Sequence, residues 1–116
     1  MLLLAKILTA LVAALHVYFL VLEMFLWTKP LGLKTFRNTP EKAEATRVLA
    51  ANQGLYNGFL AAGLLWGGCT AQWNVVLFFL GCVVVAALYG AWSVNRRIFY
   101  VQGVPAIAAI IAIALS

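Results

Sequence analysis

The sequence predicts an all-α protein, a four-helix transmembrane bundle with both termini outside the cytoplasm. Of its 116 residues, 66% are hydrophobic and only 9% are charged, and the mean hydropathy is +1.01. A soluble domain needs roughly 25–35% charged residues on its surface, so lipid is the expected solvent. Four apolar segments approach the roughly twenty residues that cross a bilayer as a helix. Because backbone polar groups in lipid must be hydrogen-bonded internally, all four are predicted to be helices.

Charged and turn-forming residues divide the chain, which is predicted to be a single transmembrane domain over residues 1–116. The first connection is long and basic, the second carries no charge, and the third is the short basic sequence NRR. The predicted helices cover about residues 3–27, 40–67, 73–94 and 98–115.

The second helix is predicted to begin before it enters the membrane. Thr39 suits the N-cap and Pro40 the first helical position, and the acid Glu41 follows directly. The first turns, as far as Arg47, would lie in the interface, where charged side chains can reach water. The membrane span itself is then expected from about Val48 to Trp66.

The distribution of basic residues predicts the orientation, because cytoplasmic loops carry an excess of Lys and Arg. Of the eight basic residues, all but Lys6 lie in the first connection, in the interfacial turns that follow it or in the third connection. Both connections are therefore predicted to lie in the cytoplasm. We therefore expect a multi-pass membrane protein, with the lipid bilayer as its partner. The basic residues form no stripe interleaved with aromatics, so no nucleic acid is expected. The residues assigned to the cytoplasmic side are Lys29, Lys34, Arg37, Lys42, Arg47, Arg96 and Arg97.

Two ionisable side chains of the first helix, His16 and Glu23, fall at membrane depth. Such a group costs on the order of 2.5 to 3.5 kcal/mol even on the lenient insertion scale, so it needs a partner or a function. Their spacing of seven residues returns them to one face of the helix, about 10 Å apart along its axis.

The second and fourth helices supply neutral polar partners. Asn52 with Tyr56 and Gln53 with Asn57 form two i,i+4 pairs on adjoining strips of the second helix, and the fourth helix adds Gln102. Depth is counted at about 1.5 Å per residue from Trp27 and Arg47, taken as markers of the cytoplasmic interface. Glu23 is then expected level with Asn52, and His16 level with Tyr56 and Asn57. The predicted ligand-binding or pocket residues are His16, Glu23, Asn52, Gln53, Tyr56, Asn57 and Gln102.

The outer half of the bundle holds few comparable polar residues, so the pocket is predicted to open to the cytoplasm. One His and one Glu are too few ligands for zinc or iron, and no metal is expected. No cofactor motif is recognisable, and no cofactor is expected.

The strings HVYFLVLEMFLW, KPLGLKTF, EATRVLAANQGLYNGFLAAGL and VQGVPA resemble the domain-of-unknown-function 1304 family of small bacterial integral membrane proteins. The resemblance covers most of the chain. It implies four membrane helices and a multi-pass location in the bacterial inner (plasma) membrane. It also implies that the seven predicted pocket residues stand on the family's motif positions. It implies no established activity.

Three functions are compatible with such a pocket, and catalytic residues are left unassigned. The first is binding or transport of a small solute or proton-coupled ligand, with Glu23 as the proton- or cation-exchanging group. It predicts a homo-oligomer, because four helices enclose little space. The second is a membrane-embedded enzyme that acts on a lipophilic substrate by acid-base chemistry of Glu23 and His16. The third is an accessory structural membrane subunit, in which the polar residues only hold the helices together.

Overall fold

The computed structural model describes residues 2–116, and these residues form six α-helices and one π-helical segment without any strand. The all-α class is therefore confirmed. Of the described helices, α1 and α5 are long and apolar enough to cross a membrane. The elements are α1 (Leu2–Met24), α2 (Pro30–Phe36), α3 (Pro40–Ala45), α4 (Arg47–Cys69), α5 (Trp73–Ser93), the π-helical segment (Phe99–Gly103) and α6 (Val104–Ala114).

The first helix ends at Met24, three residues before the predicted end, and the basic connection folds into the short helix α2. Gly32 allows this because a Cβ at that position would lie 1.9 Å from the backbone oxygen of Leu26. The ring of Trp27 packs on that of Phe36 with centroids 4.8 Å apart. The connection is thus a packed structure and not an extended loop.

The predicted second helix is divided at Thr46 into α3 and α4. The predicted cap is confirmed, since the Thr39 hydroxyl accepts a hydrogen bond from the backbone N–H of Lys42 at 3.2 Å. The Thr46 hydroxyl donates to the backbone oxygen of Lys42 at 2.8 Å. Bonds of this kind compete with the regular helical pattern, and Thr46 leaves helical geometry (φ −108°, ψ 9°).

A tight turn closes α4 before α5. The backbone N–H of Gln72 donates to the oxygen of Gly67 at 2.8 Å, and Ala71 between them has φ 54°. This is the bonding pattern of a Schellman motif, in which a left-handed residue ends the helix. The turn explains how the uncharged connection between the helices can be so short.

The described chain divides into two compact units. The bundle unit comprises residues 2–15 and 60–116, and the polar unit comprises His16–Phe59. Small residues let the helices of the bundle unit approach closely, as at Gly67, where a Cβ would lie 2.9 Å from Val76 Cγ2. The core of the bundle unit consists of Val12, Ala13, Leu64, Val76, Leu80, Val83, Ala106 and Ala109.

The last helical stretch begins with a π turn, in which the backbone N–H of Val104 donates to the oxygen of Phe99, five residues earlier. Pro105 follows directly and has no N–H for the carbonyl of Val101, so the regular helical pattern cannot form there. Gly103 is buried at this turn, where a Cβ would lie 3.2 Å from Ala87 Cβ of α5. The irregular backbone is therefore packed tightly against α5.

Candidate functional site

The polar unit brings one predicted acid and one predicted amide together. The side-chain amide of Asn57 donates a hydrogen bond to Oε1 of Glu23 at 2.5 Å. Asn57 is buried, with 7% of its surface exposed, and Glu23 is half-buried. Glu23 lies in the last turn of α1 and Asn57 in the third turn of α4, so the bond joins two helices.

Glycine makes this close approach possible. Gly54 lies three residues before Asn57 and therefore on the same face of α4. A Cβ at Gly54 would lie 3.1 Å from Glu23 Cβ and 3.2 Å from the backbone oxygen of Leu20. One turn later, a Cβ at Gly58 would lie 2.7 Å from Leu20 Cδ1. The two glycines thus let the end of α1 pack close enough for the short Asn57 side chain to reach the carboxyl group.

No cation balances this acid within the described residues. The single ion pair found in residues 2–116 joins Arg47 Nε to Glu44 Oε1 at 3.3 Å, and both of its side chains are exposed. Glu23 therefore has an amide donor on one oxygen and no counter-charge. A half-buried carboxyl group in these surroundings can bind a proton or a cationic ligand, because either would remove the cost of an unbalanced charge.

His16 is almost completely buried, with 1% of its surface exposed. Its ring meets the ring of Phe19 edge-to-face, with centroids 5.4 Å apart and planes at 75°. This geometry is typical of aromatic packing. The structure places the imidazole inside the protein, two helical turns before Glu23 along α1.

The remaining predicted pocket residues are distributed differently. Asn52, Gln53 and Tyr56 are exposed, and 61% of the Tyr56 surface is accessible. The ring of Tyr56 contacts that of Phe59 with centroids 5.7 Å apart. Gln102 is half-buried in the π-helical segment of the bundle unit. Of the four polar residues predicted on the second helix, only Asn57 is buried at Glu23.

A polar contact near the end of α1 was not predicted. The indole N–H of Trp27 donates to the hydroxyl of Thr46 at 3.1 Å, which ties the segment after α1 to the junction of α3 and α4. From the sequence, Trp27 was taken only as a marker of the membrane interface, without a side-chain partner. The available signal was the need of a partly buried indole N–H for an acceptor, together with a threonine close to the start of the neighbouring helix.

Comparison with known proteins identifies relatives but no activity. The model of the family described as "Protein of unknown function (DUF1304)" matches residues 10–114, a range that contains all seven predicted pocket residues. The uncharacterized protein YpaA of Lactococcus lactis subsp. lactis (strain IL1403) is 34% identical over 116 residues, which is 97% of this chain and 98% of the relative. No solved structure matches the chain.

Proposed function

This chain belongs to the DUF1304 family of proteins of unknown function, and we propose that it is a multi-pass membrane protein that binds or transports a small cationic or proton-coupled solute. Glu23 is the group that exchanges the cation or proton, and Asn57 holds its carboxyl group in place. The observation that carries the proposal is the half-buried Glu23, bonded to a neutral amide and lacking a cationic partner among residues 2–116.

The exposed apolar surface supports the membrane part of the proposal. Within the most apolar windows of α1 and α5, only 28% and 22% of residues are buried, whereas the core helix of a soluble protein is mostly buried. Large side chains such as Phe78 (66% exposed), Val85 (67%) and Leu3 (70%) have no cover within the described chain. Patches of this kind mark membrane or protein contacts.

We assign four spans, formed by α1, α4, α5 and the apolar stretch Phe99–Ala114. The last has 16 residues and a helical length of about 24 Å, so it needs local thinning of the bilayer or neighbouring helices. The excess of basic residues in the first and third connections supports cytoplasmic loops and outward termini. In a homo-oligomer of this bundle, the exposed Asn52 and Gln53 would be available to a second copy or to the solute.

The test is a comparison of Glu23→Gln with Glu41→Gln. Glutamine keeps an oxygen that accepts the hydrogen bond from Asn57, so the first variant removes the charge and preserves the contact. Glu41 is exposed in the first turn of α3, and its variant removes the same charge elsewhere. The purified proteins are heated in detergent with a panel of cations at constant ionic strength: sodium, potassium, ammonium, methylammonium, tetraethylammonium and tetraphenylphosphonium.

We expect at least one cation to raise the unfolding temperature of the wild type and of Glu41→Gln, and none to raise that of Glu23→Gln. A ligand that binds only the folded state stabilises it by about 2.7 kcal/mol at a hundred times its Kd. A panel without effect on the wild type, or with the same effect on Glu23→Gln, contradicts a cation site at Glu23.

A structural role is the second candidate, and the direct bond between Asn57 and Glu23 favours it. Interhelical bonds of this type contribute roughly 0.6 to 2 kcal/mol to helix association in membranes. If the bond serves only packing, Glu23→Gln keeps both stability and every cation response of the wild type. The same experiment therefore separates the two candidates.

A further inference from the structure

The bundle unit contains a cavity that is lined by none of the predicted pocket residues. A cavity of about 200 Å³ lies between the N-terminal turns of α1, the end of α4 and the start of α5. Apolar side chains, including Leu64 and Leu65, form most of its wall, and Trp73 is also a lining residue. Two polar residues of α1, Lys6 and Thr9, also line it.

Thr9 is the first of the two polar residues that line this cavity. Thr9 is 4% exposed, and its Oγ1 has no hydrogen-bond partner among residues 2–116. Buried hydroxyl groups are nearly always hydrogen-bonded, so this oxygen needs a partner from outside these residues. Space is left beside it, since a Cβ at Gly68 would meet only Thr9 Cγ2, at 3.8 Å.

Lys6 is the second polar residue that lines the cavity. It lies three residues before Thr9, on the same face of α1, so its ammonium group can reach the rim of the cavity. Within the described chain Lys6 forms no ion pair. The chain has only three acids, and all of them, Glu23, Glu41 and Glu44, belong to the polar unit. The bundle unit thus offers a cation, an unsatisfied hydroxyl and an apolar wall, and it contains no acidic side chain.

We infer that this cavity binds an anionic phospholipid. The ammonium group of Lys6 pairs with the lipid phosphate, the Thr9 hydroxyl donates to a phosphate or ester oxygen, and an acyl chain lies along Leu64 and Leu65. Lipid is the occupant because only a molecule with both an anionic head and an apolar chain matches the charge and the wall together. The inference rests on the membrane location in the proposed function, but it does not depend on Glu23 as a cation site.

Trp73 provides a probe at the cavity itself. A variant in which Trp27, Trp66 and Trp92 are changed to Phe reports Trp73 fluorescence alone, and it is reconstituted with brominated phosphatidylglycerol or brominated phosphatidylcholine. We expect phosphatidylglycerol to bind beside Trp73 about fivefold more strongly than phosphatidylcholine, the factor that one lysine contributes to anionic lipid binding. Lys6→Gln is expected to abolish the preference, and Thr9→Val to reduce it.

Two variants should keep the preference for phosphatidylglycerol. They are Lys29→Gln, which removes an exposed cation of the polar unit, and Glu23→Gln. Retention in Glu23→Gln separates this site from the proposed cation site, so either can fail alone. If the triple tryptophan variant does not fold, the wild type and Lys6→Gln are each equilibrated with equal amounts of the two lipids. Native mass spectrometry then measures how much phosphatidylglycerol is bound relative to phosphatidylcholine. Equal binding of both lipids, or an unchanged preference in Lys6→Gln, overturns the inference and leaves water as the partner of Thr9.

Discussion

Replacement of Asn57 by Leu is expected to lower the free energy of unfolding by about 1–3 kcal/mol, the cost of leaving a buried polar group without its partner. The variant removes the amide that donates to Glu23 Oε1 and puts an apolar side chain of similar size in its place. Unfolding in mixed micelles with increasing dodecyl sulfate, followed by far-UV circular dichroism, measures the difference.

Asn52→Leu is the matched control, because it makes the same chemical change at an exposed position of the same helix. Its expected effect is within about 0.5 kcal/mol of zero. The double variant Glu23→Leu/Asn57→Leu should recover part of the loss, since both members of the pair are then apolar. An equal loss of unfolding free energy in Asn57→Leu and Asn52→Leu would show that the bond from Asn57 to Glu23 has no particular role in stability.

Replacement of Gly32 by Ala is expected to destabilise the connection after α1, by about 1–3 kcal/mol or more. A Cβ at this position would lie 1.9 Å from the oxygen of Leu26 and 3.0 Å from that of Trp27, both of them backbone atoms. Backbone atoms cannot move aside as the end of a flexible side chain can, so α2 must shift. Trypsin cleavage in α2, at Lys34, should become faster in folded protein as α2 loosens.

Gly81→Ala is the control for a change of the same size. A Cβ at Gly81, in α5, would meet nothing within 4 Å, and alanine is the better helix former by roughly 0.5–1 kcal/mol. We therefore expect the free energy of unfolding to rise in Gly81→Ala and to fall in Gly32→Ala. A stabilised Gly32→Ala protein would contradict the packing of α2 against the end of α1.

The sequence predicted that Glu23 and Asn57 both line a pocket, but it did not predict that they pair with each other. Glu23 was expected level with Asn52, whereas it bonds Asn57, five residues or about 7.5 Å farther along α4. The estimate took Trp27 and Arg47 as markers of one interface and counted a helical rise from each, whereas α1 ends at Met24 and Trp27 lies beyond the helix. Trp27 instead bonds Thr46 and packs on Phe36, contacts that depend on tertiary structure and have no local sequence signature.

Residues with a strong local signal were predicted well, as the N-cap at Thr39 and the span of α5 illustrate. The break at Thr46 and the helix α2 were missed, because both follow from side chains that bond or pack against residues distant in sequence. The exposure of Asn52 and Gln53 was missed for a related reason. Periodicity predicted the two adjoining strips of α4 but did not identify the strip that faces α1. The side of α4 that carries Gly54 faces α1, because a residue without a side chain allows the close approach.

The most direct test of a carboxyl group held in apolar surroundings at Glu23 is labelling with dicyclohexylcarbodiimide, followed by peptide mass spectrometry. The reagent partitions into apolar regions and reacts with carboxyl groups there, and the chain offers it only three acidic side chains. In lipid vesicles we expect modification of Glu23, little at the exposed Glu41 and Glu44, and protection of Glu23 by the cation that stabilises the wild type. Labelling confined to Glu41 and Glu44, or labelling of Glu23 that no cation of the panel reduces, would contradict the account.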